Sequence, residues 1–110
     1  MNSRISHAQI DRINAAQDRW IARKVRRNPR LLKIAHQNLA RWIQHDGKQV
    51  RPVFREWERI LTRLDADEIA RFLQSDTPMA RRLRQSSPFA GVLSDAERRA
   101  IRLKHEKTRT

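Results

Sequence analysis

The chain contains no cysteine, two glycines, and fewer than half as many acidic as basic residues, 12 Asp and Glu against 25 Lys and Arg. Without thiols there is no disulfide, no thiolate zinc site and no cysteine nucleophile. That composition suits a reducing compartment, so the cytoplasm is the expected location. Scarce glycine leaves no Gly-rich phosphate loop, and no alternating runs of β-branched residues announce a sheet. Long apolar runs are missing too. Lys or Arg recurs every few positions, so nothing approaches the roughly 20 apolar residues that span a bilayer. Met1 to Gln9 lacks the stretch of about 7–15 apolar residues of a secretory leader, and no export is expected.

The shortage of acid leaves a formal net charge of +13 on 110 residues. So large an excess on a small body repels itself, which predicts an acidic counterpart: nucleic acid or an acidic protein. The length suits one domain with a single modest core. Apolar residues are periodic rather than scattered, and three Trp and three Phe fall in phase with Leu and Ile. The expected fold is all-α: a compact bundle of about five to six short helices with a basic surface and no sheet. Its parts read as a basic N-terminal helix (residues 1–27), a helical core (28–103) and a basic tail (104–110).

Ile10, Ile13, Ala16, Trp20 and Val25 mark the inward side of a first helix from Ser6 to Arg27, with Arg12, Arg19, Arg23, Lys24, Arg26 and Arg27 crowding its other side. Asn28-Pro29 ends it and opens a second helix to His45, which carries Leu32, Ala35, Leu39 and Trp42. A third helix from Pro52 aligns Phe54, Trp57, Ile60 or Leu61, and Leu64, and Trp42 against Trp57 is the expected centre of a helical hairpin. Asp65 with Glu68 has the spacing of a capping box for a short fourth helix bearing Ile69, Phe72 and Leu73. Thr77-Pro78 opens a fifth, with Met79 and Leu83 inward and Arg81, Arg82 and Arg84 outward. An ordered loop follows over Ser86 to Val92, and Ser94 with Glu97 caps a sixth helix through Leu103.

Reaction chemistry is not recognisable. His7, His36, His45 and His105 are scattered, with no pair at the spacing that aims two imidazoles at one metal. Asp65, Asp67 and Glu68 are accounted for by capping, and Ser86 and Ser87 lack a nucleophile elbow. No enzyme, metal or cofactor is expected. Ala22 to Arg30 and Met79 to Gln85 contain no acid. Hence Arg23, Lys24, Arg26, Arg27, Arg81 and Arg82 are the candidate nucleic-acid contacts. Glu68 to Gln85 also loosely fits a helix-turn-helix, although the turn lacks its usual Gly and two short core-packing helices fit as well. In the Ser/Pro/Gly loop, Phe89 and Val92 either tuck onto the core or insert into a partner.

Leu39-Ala40-Arg41-Trp42, Glu56-Trp57-Glu58-Arg59-Ile60-Leu61 and Leu83-Arg84-Gln85-Ser86-Ser87-Pro88-Phe89-Ala90-Gly91-Val92-Leu93-Ser94, followed by Glu97-Arg98, resemble a family of small bacterial antitoxin-like proteins. The resemblance runs from about Asn28 to Leu103, and the Ser-Pro-Phe segment is its most distinctive part. It implies a cognate toxin as partner, with promoter DNA as a second target. On that basis Arg84, Gln85, Ser86, Pro88 and Phe89 are the candidate partner-binding residues. Phe89 is the expected apolar anchor and Arg84 a carboxylate clamp, both removable without unfolding the domain. The alternative is a stand-alone DNA- or RNA-binding helical protein. A basic ribonuclease-like toxin is disfavoured.

Overall fold

Side chains at the helix starts set the boundaries. In a computed structural model describing residues 6–107, the Ser6 hydroxyl accepts from Gln9 N at 3.1 Å and the Gln9 side chain accepts from Ser6 N at 3.0 Å. This opens α1 (His7–Arg27). The Asn28 side chain accepts from Arg30 N at the head of a single 3-10 turn (Pro29–Leu31), which leads into α2 (Leu32–Asp46). Gly47, at φ +68°, ends α2 in a conformation costly for a side-chain-bearing residue. α3 (Pro52–Arg63) starts on its proline. Reciprocal bonds between Asp65 and Glu68 start α4 (Ala66–Leu73), the Thr77 hydroxyl starts α5 (Pro78–Arg84), and Ser94 with Glu97 starts α6 (Asp95–Lys107). The fold is all-helical, with no strand among the described residues.

α1 packs against α4 and α6, and α2 against α3. The N-terminal helix is thus built into the core, where Ala16, Ile21, Ala22 and Val25 join Leu39, Phe54, Ile69, Leu73 and Leu83. Trp57 is fully buried. Its indole N–H donates to Leu83 O at 2.9 Å, and its ring meets Phe72 and Phe89 edge-on at 5.6 and 5.9 Å. One side chain therefore ties α3 to α4, α5 and the loop after α5, with its single polar atom satisfied.

Several periodicity-based placements change in three dimensions. Trp42 meets Phe54, at 5.3 Å, while Trp57 faces α5 and the loop, so the hairpin is not centred on a Trp–Trp contact. Ile10 and Trp20, expected inward on α1, are exposed, and so is Met79 on α5, where Ala80 is buried beside Leu83. In each case a neighbour one position away is buried instead: Gln9 and Ile21 on α1, Ala80 on α5. At the other end, α6 runs through Lys104 to Lys107, where a basic tail is expected. The remaining tail, 108–110, and the first five positions of the Met1 to Gln9 segment lie outside the described residues. Among the described residues, no helix is long and apolar enough to cross a membrane.

Candidate functional site

Nine ion pairs among the described residues engage nine of the twelve acids. Of the rest, Asp65 and Glu68 cap α4. These pairs sort the six candidate nucleic-acid contacts. Lys24 donates to Val92 O at 2.9 Å and to Glu97 at 2.8 Å, stitching α1 to the loop and to α6. The hydrogen bond from Lys24 holds the Glu97 carboxyl below its ordinary value. Arg26 lies 3.6 Å from Asp67 and Arg81 3.2 Å from Asp76, and Arg82 grips Glu56 through two bonds of 3.0 and 2.7 Å. Those four cations already have carboxylates; among the described residues, Arg23 and Arg27 have none within 4.0 Å.

Arg23 and Arg27 continue a row. Arg12, Arg19, Arg23 and Arg27 recur at spacings of seven, four and four, which places them on one side of a helix along roughly 22 Å. All four are exposed and, among the described residues, have no carboxylate within 4.0 Å. The acid-free stretch of α5 behaves differently. Arg81 and Arg82 are paired, and Arg84 turns inward, with Asp18 at 3.5 Å and the carbonyls of Phe72 and Ser75 accepting from its guanidinium. Of the side chains that a recognition helix would offer to DNA, the three arginines are thus engaged within the chain, and Gln85 is exposed.

The candidate partner-binding segment is mostly structure. Phe89 is 2% exposed and Pro88 is buried. Asn38 Nδ2 donates to Pro88 O and to Ala90 O, each at 2.8 Å, pinning the loop onto α2. The expectation that Phe89 and Arg84 can be removed without unfolding is therefore corrected: one is core and the other holds α5 to α1 and α4. Gln85 is exposed, Ser86 is half-buried, and Gln85, Ser87, Ala90 and Gly91 line a cleft of about 810 Å³ with Asp11, Asp18 and Arg98. Asp18 sits beside Arg84 in its wall. Burial pushes its carboxyl up to about 6, outweighing the opposing pull of the Arg84 charge.

A second hollow, of about 220 Å³, lies on the seam between α1 and α6. It is lined by Ala16, Arg19, Trp20, Arg23, Ile101, Lys104 and His105. Trp20 is 43% exposed, with the Arg23 guanidinium carbon 5.1 Å from its ring centroid. Trp20 and Lys104 were missing from the candidates for one reason each: the indole fits the Ile13–Ala16 stripe as well as the arginine arc, and Lys104 reads as tail. The signal in the sequence was the pair of arginines flanking Trp20. No group of three His, Asp or Glu among the described residues is arranged to hold a metal ion. Comparison with models of known protein families, with curated proteins and with solved structures finds no match to this chain.

Proposed function

We propose that this chain is a non-enzymatic, antitoxin-like protein that binds and neutralises a partner toxin and holds nucleic acid on its positive side. The supporting observation is the division of charge. Most carboxylates are consumed within the fold, so the +13 excess is left on unpaired cations, above all the Arg12–Arg19–Arg23–Arg27 row. A row of uncompensated arginines suits a polyanion, whose bound counterions are released when the guanidinium groups replace them. The toxin contact belongs at the cleft beside Gln85, Ser87, Ala90 and Gly91. There the Ser-Pro-Phe segment forms a wall, and shape rather than an inserted Phe89 accounts for recognition.

The test is co-purification of the tagged chain from its native host at moderate salt with nuclease treatment. The expected result is one stoichiometric small protein that arrests growth when expressed alone and is silenced by co-expression with this chain. Recovery of nucleic acid alone, lost as salt rises, would replace this with the second reading, a stand-alone nucleic-acid-binding protein. The exposed Trp20 amid cations specifically favours that second reading.

A further inference from the structure

We infer that the hollow between α1 and α6 binds unpaired nucleotides of single-stranded nucleic acid, with Trp20 as the stacking platform and Arg19, Arg23 and Lys104 as phosphate contacts. This rests on the nucleic-acid half of the proposed function and specifies its site and ligand.

The exposed indole has no packing task that the core leaves undone. Ile13, Ala16 and Ile101 are buried beneath this seam, while nearly half of Trp20 meets solvent. Such an aromatic surface is useful chiefly as something to stack upon. Its surroundings suit a nucleotide. Two arginines flank it on α1, and Lys104, one helical turn beyond the buried Ile101, brings a third cation from α6. The described residues lining the hollow include no carboxylate to repel a phosphate. Arg23 over the ring also restrains the indole before any ligand arrives, which reduces the entropy lost on binding.

Single strands are selected because their bases are free to stack on an aromatic ring, whereas duplex bases are already stacked on one another. From Trp20 the Arg12–Arg27 row runs in both directions along α1. It gives the backbone of a strand of several nucleotides a track to follow once one base is seated.

The experiment uses the full chain, an RNA and a DNA oligomer of about 12 nucleotides of one mixed sequence, the matching DNA duplex, and inorganic polyphosphate as a polyanion without bases. Both single strands are expected to bind, and Trp20→Ala to weaken them about tenfold to a hundredfold, with Trp20→Phe recovering part of the loss. Duplex and polyphosphate binding should move less than about twofold in either variant. Circular dichroism and thermal unfolding of both variants should match the parent, since the residue is exposed. Polyanion binding that ignores Trp20, or a duplex bound as tightly as its single strand and equally dependent on Trp20, overturns the inference while leaving the positive side a polyanion site. If no polyanion binds at all, the nucleic-acid half of the proposed function fails with it.

Discussion

The side-chain amide of Asn38 donates to the carbonyl oxygen of Pro88, fifty residues further along the chain, at 2.8 Å, and its other hydrogen goes to Ala90 O at the same distance. Arg41 donates to the Asn38 carbonyl oxygen and holds the amide in that orientation. An irregular loop leaves its carbonyls without helical partners, and where such a loop is buried something must satisfy them. Asn38 does so from α2. Asn38→Ala is expected to lower the stability of the domain by about 1–3 kcal/mol, read as an earlier urea midpoint at unchanged slope. Asn38→Asp keeps the shape and removes the donors, so it should destabilise as well. If it does not, packing rather than hydrogen bonding holds the loop.

Phe89 and Gln85 separate the roles within the Ser-Pro-Phe segment. Phe89→Ala opens a cavity beside Trp57 and should cost about 3–5 kcal/mol, lowering the midpoint of thermal unfolding sharply. Gln85→Ala touches an exposed residue on the rim of the cleft and should change stability by less than about 0.5 kcal/mol. Loss of partner capture by Gln85→Ala at parental stability would place the partner at the cleft.

Asp18 gives stability a pH dependence of unusual sign for a carboxylate. Burial raises its folded-state value to about 6, from an ordinary value of 3.8, so between those limits the folded chain keeps a proton that the unfolded chain releases. The contribution is fully present below the unfolded value and is lost as pH rises through about 6. Relative to Asp18→Asn, the parent should lose on the order of 3 kcal/mol of unfolding free energy between about pH 4 and pH 7, measured by denaturant titration. Arg84→Ala removes the opposing charge and should carry the transition to higher pH.

The arginine row predicts the salt dependence of nucleic-acid binding. Each of Arg12→Gln, Arg19→Gln, Arg23→Gln and Arg27→Gln should flatten the slope of log affinity against log salt by about 0.7–0.9, one phosphate contact apiece. Arg82→Gln should leave the slope unchanged, since its guanidinium is engaged by Glu56. A fall in slope for Arg82→Gln as large as for Arg23→Gln would show that the internal pairing does not decide which cations bind.

What is local in the chain was legible from the chain. Ser94 reaches Glu97, Asp65 reaches Glu68 and Thr77 reaches Ala80, all three positions apart. Helix starts therefore followed from residue types and spacing without knowledge of the packing. The recurrence of Leu39, Phe54, Trp57, Ile69 and Leu83 fixed which faces turn inward and hence the all-helical class. Periodicity does not say where a buried arc ends, and this is why Trp20 and Met79, at the edges of theirs, lie outside. The charges depended on tertiary structure most of all. Composition showed a positive excess, but which arginines carry it depends on partners distant in sequence: Glu56 for Arg82, Glu97 for Lys24 and Asp18 for Arg84. An ion pair requires two groups within a few ångströms, a distance that folding alone sets. The sequence therefore determined the helices and the sign of the charge, while the packing of α1 against α4 and α6 decided which cations, and which tryptophan, were left facing outward.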